Sequence, residues 1–221
     1  MTKRKCLALV VSLMEETHIR IGNESYAKSN KSYGLSTLRT KHLNVKKNNL
    51  TFNFVGKKGK KHSVSLVNKK LQKLVMQCKE IPGWELFQYY DEDGNHHSID
   101  SGMVNEYIQE ISGDLFSAKD FRTWAASSIF LETLSNFEKP NSETEIKRNI
   151  LEAHDAAAKG LGNTRTVCKK YYVHPAIIDK YETGQLGKYC SEASKKNMEN
   201  EWLTNSEVAM LRIISGYKIE L

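Results

Sequence analysis

The stretch LRTKHLNVKKNNLTFNFVGKKGKKHSVSLV, from Leu38 to Val67, decides the fold class of this 221-residue chain. Its apolar residues tend to alternate with polar ones, which is the two-residue period of a half-buried strand. We predict three short strands in residues 38–45, 49–56 and 61–67, with turns at KKNN (46–49) and GKKGK (56–60). The segment is therefore expected to form a small antiparallel sheet that carries many lysines.

The sequence on either side of this segment has the period of amphipathic helices. The opening stretch is expected to form a helix and not a secretory signal, because no small-residue cleavage site follows its apolar part. Further helices are predicted in residues 68–80, 100–111, 119–134, 143–159, 174–182 and 205–217. The polar residues 187–202 are predicted to be a mobile connection. The fold class is therefore α+β: predominantly α-helical, with a small three-stranded antiparallel sheet near the N-terminal third.

Two of the predicted helices begin with the pattern of a capping box, in which a hydroxyl and a later carboxylate satisfy free backbone amides. The two pairs are Ser117 with Asp120 and Ser142 with Glu145. Because Ser117 would start its helix, Lys119 and Arg122 are both expected in the first turn, where free amides favour a phosphate group.

Charge is distributed unevenly along the chain, although the net charge is +7. Residues 1–80 contain 18 Lys and Arg against 4 Asp and Glu, whereas residues 81–221 contain 15 against 22. A basic segment of this kind attracts nucleic acid by releasing condensed counterions. The first third of the chain is therefore the candidate polyanion-binding part.

Composition argues against several other classes of protein. No apolar run approaches the roughly 18 residues that a bilayer crossing needs, so a membrane protein is not expected. The four cysteines are scattered, without the paired spacing of a zinc site or the density of a disulfide scaffold, which predicts reduced thiols in the cytoplasm. The chain also has no phosphate-binding loop and no carboxylate cluster, which is consistent with a protein that needs neither ATP nor a metal ion as a cofactor.

Four motifs follow one another along the chain. They are HIRIGNESYAKSNKSYGLSTLRTKH (18–42), FVGKKGK (54–60), KDFRTW (119–124) and LGNTRTVCKKYYVHP (161–175). In this order and at this spacing they resemble the catalytic domain of type IB DNA topoisomerases, in the poxviral and bacterial branch. The resemblance extends from residue 6 to about residue 185.

The resemblance implies that residues 1–221 form one catalytic domain. Its parts would be a basic helix with the three-stranded sheet (1–80), a helical part with the nucleophile (81–190) and a tail with a terminal helix (191–221). The smaller N-terminal DNA-binding domain of the family would be absent from this chain. We expect the protein to act on double-stranded DNA as a monomer, in the cytoplasm and at the nucleoid of a bacterium.

The same resemblance assigns catalytic roles to five residues. Tyr172 would be the nucleophile, and Arg20 and Arg122 would bind the phosphate in the transition state. An arginine suits this role because its planar fork binds two phosphate oxygens and stays protonated. Lys57 would be the general acid that protonates the leaving 5′ oxygen, and Asn163 would donate a hydrogen bond to a phosphate oxygen. No general base for Tyr172 is evident.

Ten further residues are expected to contact DNA. They are Tyr26, Asn30, Ser36, Thr37, Arg39, Lys58, Lys60, Lys119, Lys169 and Lys170. Taken singly, the catalytic candidates also have structural interpretations. Arg20 could be an ordinary arginine at the end of a helix, Lys57 a turn lysine and Asn163 the N-cap of the helix that leads to the tyrosines. His42 and His62 could touch DNA or lie on the surface of the sheet, and His174 is expected to cap or pack a helix.

The function implied by the resemblance is relaxation of supercoiled DNA through a 3′-phosphotyrosine intermediate and religation. The first alternative is a site-specific tyrosine recombinase or integrase, which shares this chemistry. A recombinase normally has histidine three residues before its second arginine, where this chain has Lys119. The second alternative is a non-catalytic DNA-binding module, against which the intact set of Arg20, Lys57, Arg122 and Tyr172 argues.

Tyr171 and Tyr172 are adjacent, and only one can be the nucleophile. The motif places Tyr172 nine residues after Asn163 and directly before Val173 and His174. If the segment is helical, the two phenols point roughly 100° apart and cannot share one line of attack. Tyr171 is therefore expected to pack or to flank the DNA.

Overall fold

A computed structural model describes residues 1–46, 49–196 and 202–217. The chain divides into two compact units, Met1–Phe121 (unit 1) and Arg122–Leu221 (unit 2), and each is described by itself. The predicted α+β class is confirmed: helices predominate, and a small antiparallel sheet lies in the N-terminal third. Among the described residues, no helix combines the length and the apolar character that a membrane crossing requires.

Unit 1 contains the predicted sheet. Its strands are β1 (Leu43–Lys46), β2 (Asn49–Val55) and β3 (Lys61–Leu66), in the order β1-β2-β3 and antiparallel throughout. Leu35–Thr37 and Thr40–His42 form short 3₁₀ turns. The second of these turns explains why the first strand begins at Leu43 and not at residue 38 as predicted. The second turn is closed by a hydrogen bond of 3.0 Å from the backbone N–H of Arg39 to Nδ1 of His42. Of the predicted KKNN turn, residues 47 and 48 lie outside the described residues.

The helices of unit 1 are α1 (Lys3–Thr17), α2 (Glu24–Asn30), α3 (Lys69–Lys79) and α4 (Ser101–Ser112). The three longer ones bury apolar residues in one core with the sheet, whereas α2 buries Ala27 alone. The opening segment is therefore a helix, as predicted. The fully buried side chains of this core include Leu9, Leu13, Leu35, Phe52, Leu66 and Phe87.

Unit 1 also contains a hairpin that was not predicted. Strand β4 (Gln88–Tyr90) pairs with β5 (His96–Ser98), so the expectation that only helices follow residue 67 is wrong here. Each strand has three residues, which is too short to show a two-residue period. The connecting loop is held by Asp91, whose carboxylate contacts Nε2 of His97 at 2.6 Å. This hydrogen bond lowers the pKa of Asp91.

Unit 2 is helical throughout its described part. Its helices are the greater part of α5 (Ala118–Ser135), then α6 (Glu143–Gly160), α7 (Arg165–Tyr171), α8 (Pro175–Glu182), α9 (Leu186–Lys196) and α10 (Asn205–Ser215). They surround a core that includes Phe130, Leu131, Leu134, Ala157 and Ile177.

Helix α9 corrects the prediction of a mobile connection in residues 187–202 as far as Lys196, whereas residues 197–201 of that prediction lie outside the described residues. Its apolar residues are few, but Leu186, Tyr189, Cys190 and Ala193 recur at the spacing of one helical face. Leu186 and Ala193 are buried in the core of unit 2, and Tyr189 and Cys190 pack against it. Burial of this narrow apolar stripe explains why a polar sequence is helical here.

The predicted helix starts are mostly as expected. Ser142 caps α6 by accepting the N–H of Glu145 at 3.2 Å. At the start of α5, the N–H and the hydroxyl of Ser117 both donate to Asp120 at 2.8 Å. The next amide, that of Ala118, donates to Oδ1 of Asn105 at 2.9 Å. The expectation of free amides for phosphate at this helix start is therefore wrong for the amides of Ser117 and Ala118.

Candidate active site

Arg122 is a buried arginine on α5, with 5% of its surface exposed. Its Nη2 donates to the backbone carbonyl of Leu161, 3.0 Å away, in the turn that follows α6. Its guanidinium carbon also lies 5.4 Å from the centre of the Tyr172 ring, which is the range of a cation–π contact. Arg122 is thus buried and fixed beside the candidate nucleophile.

Tyr172 is the residue that ends α7, and its half-buried ring packs against the core of unit 2. Its backbone N–H still donates to the carbonyl of Cys168 at 3.0 Å, but its φ and ψ of −128° and −35° leave the helix. Tyr171 differs clearly, since 55% of its surface is exposed and Nζ of Lys170 lies over its ring. The two adjacent phenols therefore have different surroundings, and only that of Tyr172 includes a buried arginine.

Sequence reasoning missed Ser127, which fixes the main chain around Tyr172. Ser127 lies on α5 and is 2% exposed. Its hydroxyl donates to the carbonyl of Tyr172 at 3.1 Å and accepts the N–H of His174 at 3.0 Å. This Ser127 bridge holds the break between α7 and α8 from both sides. A serine within a helix has no motif of its own, so only the tertiary contact identifies it.

We expect Ser127→Ala to destabilise unit 2 by roughly 1–3 kcal/mol, because it leaves a part-buried carbonyl and a part-buried N–H without their partner. The DNA cleavage that the sequence motifs imply should slow as well, since the main chain of Tyr172 loses its anchor. Thermal unfolding and single-turnover cleavage measure the two effects. Ser128→Ala is the matched control, because the buried hydroxyl of Ser128 has no hydrogen-bond partner within the described ranges. Equal stability of the two variants would contradict the role of the bridge.

Asn163 lies in the turn between α6 and α7, two residues after the carbonyl that Arg122 binds. It is not the N-cap of α7, because Thr164 takes that position and accepts the N–H of Val167. Asn163 instead donates its backbone N–H to the carbonyl of Ala158 at 2.8 Å. The turn, Arg122 and the Tyr172 ring thus meet in unit 2.

Arg165 begins α7 and forms a two-pronged ion pair with Asp155 of α6. Its Nε donates to Oδ1 at 2.6 Å, and its Nη2 donates to Oδ2. The hydrogen bonds from Arg165 lower the pKa of Asp155. Because both side chains are about half exposed, the pair adds little stability, but it links the start of α7 to α6.

His154 on α6 is buried, and its ring lies 4.6 Å from that of Phe130. Neither ring nitrogen has a hydrogen-bond partner among the residues that the structure describes. Burial lowers the pKa of His154, and the nearby charges of Lys169 and Arg165 lower it further. The imidazole is therefore neutral at pH 7 and acts as a core residue.

In unit 1, Arg20 lies in the loop after α1, beyond the left-handed cap residue His18. The loop is paired with a second segment: the N–H of Leu35 donates to the carbonyl of Arg20 at 2.9 Å, and that of Ser36 to the carbonyl of Ile21 at 2.7 Å. A Cβ on Gly34 would lie 2.4 Å from the Arg20 carbonyl oxygen, so only glycine allows this approach. The glycine of the YGLS sequence is thus explained by the Arg20 loop.

Lys57 begins the tight turn between β2 and β3, and its side chain is exposed. The turn is closed by hydrogen bonds from Gly56 N–H to the Lys60 carbonyl (2.7 Å) and from Gly59 N–H to the Gly56 carbonyl (3.1 Å). The prediction of a lysine in a turn between strands is confirmed.

A single segment, Tyr33–Ser36, connects the surroundings of Arg20 and Lys57. Its Leu35 and Ser36 amides bind the Arg20 loop, as described above. Its Tyr33 amide donates to the carbonyl of Val55 at 2.8 Å, two residues before Lys57. We call Tyr33–Ser36 the brace. It fixes the main chain near both candidates within unit 1.

The residues expected to contact DNA fall into two groups. Eight are exposed or partly exposed: Tyr26, Asn30, Arg39, Lys58, Lys60, Lys119, Lys169 and Lys170. The side chains of Ser36 and Thr37 are used within the fold. The buried hydroxyl of Ser36 donates to the carbonyl of Ile21 at 2.9 Å, and that of Thr37 accepts the N–H of Gly34 at 3.0 Å.

A basic groove of about 690 Å³ lies beside the sheet of unit 1. It is lined by Lys31, Tyr33, Lys41, His42, Asn53, Phe54, Val55, Lys61, His62 and Ser63. Burial, with Lys41 and Arg39 nearby, lowers the pKa of His42 to about 4, so His42 is neutral at pH 7. The three lysines of the groove therefore carry positive charge, whereas His42 does not.

Comparison with known proteins gives one family and several viral relatives. Residues 1–200 match the catalytic core of eukaryotic DNA topoisomerase I. DNA topoisomerase 1B of Acanthamoeba polyphaga mimivirus is 34% identical over 187 residues, which cover 81% of this chain and 56% of the relative. DNA topoisomerase 1B of vaccinia virus (strain Copenhagen) is 25% identical over 175 residues, with coverages of 77% and 52%. DNA topoisomerase 1 of rabbit fibroma virus (strain Kasza) is 28% identical, with the same coverages.

The chain thus spans about half the length of these curated relatives. Because all three come from viruses, they give no support to the expected location at a bacterial nucleoid.

Proposed function

The chain belongs to the type IB DNA topoisomerase family, and on that premise we propose that it relaxes supercoiled duplex DNA by cutting and rejoining one strand. The observation that carries this proposal is the surroundings of Tyr172. A buried arginine lies beside its ring, and the Ser127 bridge fixes its main chain. A nucleophile needs this combination of positioning and nearby positive charge to attack an anionic phosphodiester.

In the proposed reaction, the phenolic oxygen of Tyr172 attacks the phosphorus, and the bond from phosphorus to the 5′ oxygen breaks. The phenol loses its proton to the solvent, and Lys57 gives a proton to the leaving 5′ oxygen and regains one from the solvent. In the reverse step the 5′ hydroxyl attacks the phosphotyrosine and releases the tyrosine. One phosphoester bond is formed for each one broken, so the cycle needs no energy source such as ATP.

The other catalytic candidates stabilise charge in this proposal. Attack concentrates negative charge on the nonbridging phosphate oxygens, and Arg20 and Arg122 neutralise it. Asn163 donates a hydrogen bond to a phosphate oxygen, and its side-chain amide does not titrate near pH 7. Arg122 can bind the phosphate only through the part of its guanidinium that is not hydrogen-bonded to the Leu161 carbonyl. Since all the assigned residues lie on one chain, the proposal requires only a monomer.

DNA binding is proposed to involve the exposed members of the predicted contact set and the lysines of the basic groove. Lys58 and Lys60 flank the Lys57 turn, and Lys169 and Lys170 lie on α7 just before Tyr172. Ser36 and Thr37 are proposed to act indirectly, by shaping the Arg20 loop, because their hydroxyls are bound within the fold. Phosphate contacts of this kind weaken steeply with salt.

Relaxation of supercoiled plasmid tests the proposal. We expect relaxed topoisomers at low salt in the presence of a chelator and without ATP. A suicide substrate labelled at the 5′ or the 3′ end of the cut strand tests the polarity, because a 3′-phosphotyrosine retains only the 5′-labelled fragment on the protein. No relaxation at high protein concentration and low salt would overturn the proposed activity. Retention of the 3′-labelled fragment would overturn the proposed intermediate.

A further inference from the structure

His62 on β3 is packed between an aromatic ring and the main chain just before Lys57. Its ring is nearly parallel to that of Phe54, with 11° between the planes and 5.0 Å between the centres. The two residues are directly paired in the register of β2 and β3. Because Phe54 is itself buried, it forms a fixed wall for the imidazole.

One edge of the imidazole, formed by Nε2 and Cδ2, lies against Gly56. A Cβ on Gly56 would be 2.7 Å from Nε2 and 2.8 Å from Cδ2 of His62, which is closer than non-bonded atoms can approach. The φ of Gly56 is −98°, a value that any residue adopts. Gly56 is therefore required for the space that the imidazole occupies and not for its backbone conformation.

This contact defines where the Lys57 turn begins. Gly56 directly precedes Lys57, and it donates one of the turn's two closing hydrogen bonds and accepts the other. Within the turn, Lys58 adopts a left-handed φ of 62°, which is uncommon for a residue other than glycine. The imidazole lies against Gly56, the residue directly before Lys57, so it limits the directions in which the turn can move.

We propose that His62 is a positioning residue for Lys57: its imidazole, held by Phe54, sets the placement of the turn from which Lys57 protonates the leaving 5′ oxygen. The proposal rests on the general-acid role of Lys57 given above. It differs from direct DNA binding by His62, which also lines the basic groove, because it acts on the step in which the 5′ oxygen leaves.

The test compares two leaving groups in single-turnover cleavage. One substrate has the natural 5′ oxygen, and the other has sulfur in its place at the scissile bond. A thiol has a pKa of about 8.5, so a thiolate leaves without the proton that an alkoxide needs. A misplacement of a catalytic group by about 1 Å can lower the reaction rate by on the order of 10²-fold. We therefore expect His62→Ala to slow cleavage of the oxygen substrate by roughly 10- to 100-fold. Cleavage of the sulfur substrate should stay close to the wild-type rate.

Lys57→Ala and Ser65→Ala are the reference variants. Lys57→Ala should show the same rescue by sulfur, and its failure to do so would overturn the general-acid role itself. Ser65→Ala, an exposed position of the same strand outside the groove, should cleave both substrates normally. If Lys57→Ala is rescued by sulfur but His62→Ala is equally slow on both substrates, or equally fast, the positioning role of His62 is wrong.

A double-substitution cycle tests the contact itself. Gly56→Ala alone places a methyl group against the imidazole and should slow cleavage of the oxygen substrate. In Gly56→Ala/His62→Ala the methyl group enters the space that the imidazole leaves, so the two losses should not add. Strict additivity, with both single variants folded as judged by thermal unfolding, would count against the contact. A higher DNA dissociation constant for His62→Ala with an unchanged cleavage rate would assign His62 to DNA binding instead.

Discussion

Tyr172→Phe is expected to abolish both the covalent DNA adduct and plasmid relaxation, while Tyr171→Phe retains both. Removing the hydroxyl deletes the attacking atom and leaves the ring beside Arg122. Loss of a nucleophile in another enzyme class costs on the order of 10⁶ in rate, so residual activity should be undetectable. Adduct formation is measured by denaturing gel electrophoresis after incubation with a suicide substrate.

Tyr171→Phe is a closely matched control, because it makes the same chemical change one residue away. The Tyr171 ring is largely exposed and lies beneath Lys170. Loss of its hydroxyl should therefore change DNA affinity slightly at most. Adduct formation by Tyr172→Phe would contradict the assignment, and a loss confined to Tyr171→Phe would transfer the nucleophile to that residue.

Arg122→Lys is expected to lower the rate of cleavage by roughly 10²–10³-fold with little change in DNA affinity. Lysine keeps the positive charge but lacks the planar fork, so it cannot hold the Leu161 carbonyl and a phosphate oxygen at the same time. The effect should lie on the chemical step, because the guanidinium is buried beside Tyr172 and not on an exposed DNA-binding face. Single-turnover cleavage at saturating protein separates the rate from the affinity.

The fold of the Arg122 variant has to be measured together with its rate, since the arginine also holds the turn that contains Asn163. Thermal unfolding and circular dichroism report this structural effect. Arg148→Lys on α6 provides the control, because Arg148 is an exposed arginine with ion pairs to Glu145 and Glu152. A folded Arg122→Lys variant that cleaves DNA at the wild-type rate would refute the role of the guanidinium.

Sequence patterns predicted those elements whose period extends over many residues. The three strands and the long helices α3 to α6 were found in this way, within a few residues of their bounds. The short β4–β5 hairpin was missed because three residues do not establish a period. Helix α9 was missed because its stripe of Leu186, Tyr189, Cys190 and Ala193 is narrow and surrounded by polar residues.

The candidate site was predicted residue by residue through motif resemblance, but its contacts were not. Nothing in the sequence relates Arg122 to the Leu161 carbonyl, or Ser127 to the main chain at Tyr172 and His174. These contacts join residues 39 to 47 positions apart and involve backbone groups, which carry no sequence signal. The same is true of His62, because the reason for glycine at position 56 is visible only when the imidazole is in place.

The brace, Tyr33–Ser36, has a consequence for how this protein can vary. One four-residue stretch binds both the loop of the phosphate-binding candidate Arg20 and the strand end before the acid candidate Lys57. A substitution that shifts this stretch should displace both the Arg20 loop and the strand end before Lys57. Natural variants are therefore expected to change the two loops in concert, and a homologous protein that replaces the glycine of the brace should also carry compensating changes around Arg20.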